Sequence, residues 1–214
     1  MAEPKFLKIE NNGQVARIIL DRPKHNVLDI PMMNELNGEL EKIAADEELK
    51  CLVITGEGRS FCAGVEVGDH KPDNVDAMVA TFNRIFELIN MIDIPIIAAV
   101  NGACLGGGME VAIACDMVIA SEKAIFGQPE VKLGFFPPYA ALRLPELVGV
   151  AKAIEIVTTG QNYSALESKD LGFVSKVASV DDFQAMIDGQ VKQICHASPL
   201  ILRLNKRAVK RHIG

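Results

Sequence analysis

The order of apolar runs in this chain predicts an α/β fold, a layer of strands joined by helical crossovers and followed by a helical C-terminal region. Two observations carry that expectation. Continuous apolar runs at residues 51–55 and 96–100, stopped by Gly56 and Asn101, suit strands covered on both faces. The segment between them repeats apolar residues at helical spacing, so strand, helix and strand alternate as in a crossover unit. With 214 residues, 49% hydrophobic and 23% charged, there is enough apolar material for one core and no sign of low-complexity disorder.

Each element has its own local signal. Residues 5–10 and 14–20 are short extended runs flanking Asn11-Asn12-Gly13, a turn that tolerates positive φ, and they predict a hairpin. After Asp21-Arg22-Pro23, the spacing of Met32, Met33, Leu36, Leu40, Ile43 and Ala44 predicts a helix, with Pro31 tolerated in its first turn. Val75, Met78, Val79, Phe82, Ile85, Phe86 and Ile89 give the clearest helical period in the chain. A Gly106-Gly107-Gly108 cluster opens a short apolar helix that runs to Cys115, and residues 117–120 and 124–126 read as brief strands. Beyond Pro138 the pattern turns helical, at residues 151–159, 164–170, 181–196 and 199–212, with one short strand near 173–177. The division expected is a core over residues 1–180 and a helical segment over 181–214.

Composition removes several functional classes. Lys and Arg number 22 against 28 Asp and Glu, a net charge of −6, so nucleic acid is not an expected partner. The five Cys, at 51, 62, 104, 115 and 195, form no CxxC pair and read as reduced thiols of a cytoplasmic protein. The longest uncharged stretch, residues 94–109, carries four Gly and Asn101, so no membrane span is expected. The N-terminus lacks the apolar region of a secretory signal, and the sequon at Asn162 is then expected to stay unmodified. His25, His70, His196 and His212 are scattered, which argues against a zinc site and leaves them solvated or capping roles. No GxSxG elbow, Walker motif or GxGxxG fingerprint is present.

What remains is a combination of turns and carboxylates. Gly64-Val65 forms a tight turn after a strand, and Gly106–Gly108 forms another at a helix N-terminus. Two such turns can aim two backbone N–H groups at one oxygen, which suits a carbonyl becoming an enolate. Glu110 lies just past the glycines in an apolar setting, and Glu130 follows Gly127-Gln128-Pro129. Carboxylates buried without cations titrate high and suit acid and base roles, although each can equally cap a helix or bond backbone amides.

The segments FCAGVEV, IIAAVNGACLGGGMEVAIACDMVIAS, FGQPEVKLG and LVGVAKAIEIVTTGQNYSALESKDLGFVSKV resemble the crotonase (enoyl-CoA hydratase/isomerase) superfamily at matching spacing over residues 5–180. The resemblance implies a spiral of ββα units and an acyl-CoA thioester substrate, with no separate cofactor because CoA belongs to the substrate. It implies that Val65 and Gly107 supply the oxyanion-hole N–H groups. Glu110 then activates water and Glu130 exchanges the proton at carbon. Cys62, lacking a basic neighbour, is the weaker candidate nucleophile. Lys24 and His25, after the Arg-Pro turn, are expected near the CoA. The basic run Arg203, Lys206, Arg207, Lys210 and Arg211 reads as a solvated helix face, or as a contact for CoA phosphates.

Two departures from the family pattern shape the expectations. Where fatty-acyl hydratases carry small residues, this chain has Gly134-Phe135-Phe136-Pro137-Pro138-Tyr139. Together with Ala63, Phe135, Phe136 and Tyr139 are expected to line the acyl group, and the rings favour a flat one such as cyclohexa-1,5-diene-1-carbonyl-CoA. Relatives also continue for some tens of residues after the basic helix, so the C-terminal segment is expected to be incomplete; the implied assembly is a homotrimer or homohexamer. A straight-chain enoyl-CoA hydratase, a double-bond isomerase using Glu130 alone, and a non-catalytic acyl-CoA or RNA binder are the alternatives.

Overall fold

The structure, a computed structural model, describes residues 4–210. β1 (Leu7–Asn11) and β2 (Val15–Leu20) pair as an antiparallel hairpin. Its turn is closed by side chains: Asn11 Oδ1 accepts from Gly13 N–H at 2.8 Å and Asn12 Oδ1 from Val15 N–H at 2.9 Å. α1 (Ile30–Ala45) starts where Asp29 Oδ1 accepts from Met32 N–H at 2.9 Å, with Pro31 in the first turn. It buries Met32, Met33, Leu36, Leu40 and Ile43, the face that the spacing predicts.

The chain then makes β3 (Cys51–Gly56), β4 (Ser60–Cys62), a short 3₁₀ turn at Val67–His70, α2 (Val75–Met91), β5 (Ile96–Val100), β6 (Ala103–Leu105), α3 (Gly107–Ala114), β7 (Met117–Ser121) and β8 (Ile125–Gly127). A second 3₁₀ turn, Pro129–Leu133, leads to α4 (Pro138–Val148), α5 (Val150–Thr159), β9 (Asn162–Ser164), α6 (Ala165–Leu171), β10 (Lys176–Ala178), α7 (Phe183–Cys195) and α8 (Pro199–Lys210). The end of the last expected helix, at Arg211 and His212, lies outside the described residues. No described helix is long and apolar enough to cross a membrane.

Two sheets result. The larger runs β1-β2-β3-β5-β7-β10 and is parallel beyond the hairpin. Its central strands are apolar throughout because alternate residues enter different cores. Leu52, Ile54, Ile96, Ala98 and Val100 pack with α1 and α2, whereas Cys51, Val53, Ile97 and Ala99 meet Ile187, Val191 and Ile194 of α7. Truncating Ile54 to alanine would cost about 2–5 kcal/mol at such a closed position. The smaller sheet, β4-β6-β8-β9, is parallel across its first three strands.

Three local expectations are corrected. Val79, assigned by period to the core, is 42% exposed because it faces a cavity. β4, β6, β9 and α4 have no counterpart among the elements expected from sequence, because three residues are too few to show alternation and α4 carries Pro145 within it. The basic run on α8 is a solvated face only in part. Lys206 is buried and pairs with Asp116 at 2.6 Å while donating to the Ile94 carbonyl at 2.8 Å. Arg207 pairs with Asp93, and Arg203 donates to the carbonyls of Asp46 and Leu49 at 2.9 and 3.3 Å. These cations fasten α8 to the segments that lead into β3, β5 and β7; Arg211 lies outside the described residues.

Candidate active site

The smaller sheet positions the chemistry. β4, β6 and β8 are parallel, so their carboxyl ends lie along one edge, and each runs directly into a turn. β4 leads into Ala63-Gly64-Val65, β6 into Gly106-Gly107 and α3 with Glu110, and β8 into Gln128-Pro129-Glu130. Crevices at the carboxyl ends of parallel strands are where α/β sheets bind ligands. Here the register also sets the depth of each turn, with Ala103 opposite Ser60 and Leu105 opposite Gly127.

The first turn is braced from outside. Asn26 is buried, and its Nδ2 donates to the carbonyls of Glu57, Ser60 and Phe61 at 3.0, 2.8 and 3.2 Å, fixing the start of β4. Leu28 and Val65 form a parallel bridge in which Leu28 N–H donates to the Gly64 carbonyl and Glu66 N–H to the Leu28 carbonyl, both at 2.9 Å. That pattern uses the groups on either side of Val65, so the Val65 N–H points away from the brace. The second N–H belongs to Gly107, the first residue of α3, where a helix leaves its donors without intrahelical partners.

The glycine triplet is needed because three different groups approach it. A Cβ on Gly106 would lie 2.5 Å from Glu130 Oε1, one on Gly107 2.6 Å from Val65 Cγ2, and one on Gly108 2.2 Å from the Cys62 carbonyl oxygen. These distances bring α3, the Val65 turn and the Glu130 segment to one point. Gly106 also adopts φ +53°, which an L side chain would resist.

Both predicted carboxylates face the same cavity. Glu110 is 2% exposed, and its Oε1 accepts from Ala140 N–H, in the first turn of α4, at 2.8 Å. Burial pushes its carboxyl up to about 7, with the charge of Glu130 adding to the shift and the bonds from the α4 backbone opposing it. Burial also pushes Glu130 up to about 7. Gln128 is wholly buried; with its amide nitrogen turned toward Glu130 it donates to Oε2 and Oε1 at 2.9 and 3.1 Å. Neither Asn26 nor Gln128 stands out in the sequence, since a single amide carries no pattern of its own.

The cavity holds about 390 Å³ and is lined by Ala63, Val65, Gly107, Glu110 and Glu130, with Phe82, Met78 and Val79 of α2. Phe135 and Phe136 stand on its wall. Tyr139 does not: its ring stacks on Phe86 at 4.0 Å and lines a separate groove of about 620 Å³ beside α8, because α4 turns that side chain outward. Lys24 and His25 are exposed and are absent from the cavity lining; the His25 carbonyl accepts from Ala63 N–H at 3.0 Å, so their segment supports the turn through its backbone. Cys62 is buried, and burial pushes its thiol up to about 12, which removes it as a nucleophile. His70, expected in a solvated or capping role, closes the 3₁₀ turn with Nδ1 at 3.0 Å from the Glu66 carbonyl and also stands in the cavity wall. Among the described residues, no group of three or more His, Cys, Asp or Glu is placed to hold a metal ion.

The chain resembles known proteins over most of its length. Residues 10–214 match the family described as Enoyl-CoA hydratase/isomerase. The chain is 37% identical over 203 residues to a probable mitochondrial enoyl-CoA hydratase of Dictyostelium discoideum, covering 94% of this chain and 73% of that protein. It is 35% identical to a short-chain-enoyl-CoA hydratase of Clostridium acetobutylicum, covering 95% and 80%. Among solved structures, an enoyl-CoA hydratase subunit of Geobacillus kaustophilus superposes with a TM-score of 0.91 at 34% identity, over 99% of this chain and 84% of that one. An enoyl-CoA hydratase of Bacillus anthracis gives 0.90 at 31%, over 98% and 84%. With the matched region spanning both glutamates, both turns and both sheets, the chain is an α/β enzyme that belongs to the enoyl-CoA hydratase/isomerase family.

Proposed function

We propose that the protein adds water across a double bond conjugated to a CoA thioester. The observation that carries the reading is that two carboxyls, both held near 7, face one cavity with the Val65 and Gly107 turns. The N–H groups of Val65 and Gly107 bind the thioester oxygen and stabilise the enolate that forms as water attacks. Glu110 takes the proton of the attacking water, and Glu130 delivers a proton to carbon as the enolate collapses. The step needs one carboxyl ionised and one protonated, a population favoured near neutrality when both titrate near 7. Atoms balance with water as the sole co-reactant; CoA belongs to the substrate, and no separate cofactor enters.

For the acyl group we propose a flat, ring-shaped thioester such as cyclohexa-1,5-diene-1-carbonyl-CoA. Its support is the small cavity and the rings of Phe135 and Phe136 on its wall. A panel of cyclic and straight-chain acyl-CoAs, read by the mass gain of one water, tests both levels, with Glu130→Gln as the inactive control. Higher kcat/KM for the cyclic diene than for crotonyl-CoA is expected. Equal or reversed values assign a straight-chain substrate. A product of unchanged mass, formed equally well by Glu110→Gln, would assign isomerisation by Glu130 alone.

A further inference from the structure

His70 and Phe135 belong to the two segments that carry opposite halves of the site. His70 ends the 3₁₀ turn that follows Val65, and Phe135 follows Gly134, which caps the 3₁₀ turn holding Glu130. Their rings stack with centroids 4.2 Å apart and planes 29° from parallel, and both line the cavity. Each ring is anchored close to its own half of the site. His70 Nδ1 lies 3.0 Å from the Glu66 carbonyl, which can only accept, so Nδ1 carries the hydrogen. Phe135 N–H donates to the Glu130 carbonyl at 3.0 Å.

The Glu130 segment is tied to the end of α5, where Lys132 Nζ donates to the Gly160 carbonyl, but the side chains flanking Phe135 are open. Leu133 is 58% and Phe136 72% exposed, whereas the Phe135 ring is partly covered and rests on His70. The stack therefore joins the Val65 turn to the Glu130 segment and closes the wall between them with a flat surface. We propose that the His70–Phe135 stack is a specificity-determining clasp that denies an extended acyl chain a path between these two segments. The inference rests on the acyl-CoA reading of the site, but not on which reaction follows.

Binding of non-reacting saturated thioesters separates the two. Kd values for butyryl-CoA and decanoyl-CoA are measured by calorimetry for the wild type, His70→Ala, Phe135→Leu and the double variant, with thermal unfolding confirming the fold. Each single variant is expected to shift the Kd ratio toward decanoyl-CoA by roughly fivefold to tenfold, the size of one aromatic pair. The double variant should add little, because both singles remove the same contact, and His70→Tyr should restore the ratio by restoring a ring. A merely structural role would weaken both ligands alike and leave the ratio fixed, which overturns the clasp. A shifted ratio in a protein that hydrates no enoyl-CoA upholds the clasp and overturns the hydratase reading.

Discussion

Replacing Glu110 with glutamine should make the protein less active and more stable, and the gain in stability should appear only as pH rises. Glu110 titrates near 4.5 in the unfolded chain and at about 7 in the fold, where burial disfavours its charge. Below 4.5 both states hold the proton and no penalty exists. Between 4.5 and 7 the unfolded state ionises while the folded state does not, so stability falls. Above about 7 the loss is complete, and at about 1.4 kcal/mol per tenfold change in proton affinity it amounts to about 3 kcal/mol. Glutamine cannot ionise, and its amide oxygen still accepts from Ala140 N–H. Urea unfolding of both proteins from pH 5 to 8 should therefore give a difference of about 1 kcal/mol at the acid end, rising to about 3 kcal/mol in favour of Glu110→Gln at pH 8, or a Tm gain of about 6–12 °C there. Loss of the base should meanwhile lower kcat by about 10²–10⁴. A stability difference that stays constant with pH, at unchanged m, would refute the claim that burial holds this carboxyl protonated.

Other perturbations follow from single contacts. Gly108→Ala drives a Cβ to 2.2 Å from the Cys62 carbonyl, backbone against backbone, and should cost about 3 kcal/mol or more in chemical unfolding. Gln128→Leu removes two donors that favour ionised Glu130, so the basic limb of the kcat–pH profile should move upward from about 7. Hydrogen bonds to a charged group make that movement about 1–2 pH units. Lys206→Met breaks the ion pair with Asp116 beneath α8 and should lower stability by about 2 kcal/mol, with trypsin reaching α8 sooner than in the wild type.

What was legible in the sequence tracks the length of each element. α1 and α2 run for 16 and 17 residues, long enough for an apolar period to repeat, and their buried faces match it apart from Val79. The smaller sheet, which does the positioning, is built from three-residue strands whose sequences SFC, ACL, IFG and NYS carry no alternation. Its existence follows from pairing between segments about 40 residues apart in the case of Ser60 and Ala103, a relation no local window contains. The two turns and two carboxylates were visible because glycine and glutamate are rare choices inside apolar runs. The ion pairs of the α8 cations were hidden for the reverse reason: Arg207 finds its acid 114 residues upstream, so charge spacing along the helix could not reveal it. His70 offered only a lone imidazole, and the sequence holds no mark that its partner is a phenylalanine 65 positions later.

The same feature that costs stability makes the pair of glutamates useful. Among the described residues lining the cavity there is no Lys or Arg. A cation there would repay the burial of each carboxylate and stabilise the fold at neutral pH. It would also hold both groups ionised, leaving no proton for carbon while the water is being deprotonated. Here the ionised form is supported by weaker neutral donors, the Ala140 and Tyr139 backbone for Glu110 and the Gln128 amide with the residue's own backbone for Glu130, and burial outweighs them enough to leave both near 7. The cations lie elsewhere, on α8, where Lys206 and Arg207 fasten the helix to Asp116 and Asp93. Charge pairing thus stabilises the amino ends of the central strands while the cavity keeps its carboxyls unpaired, and that separation lets one chain hold a stable fold and a proton poised for transfer.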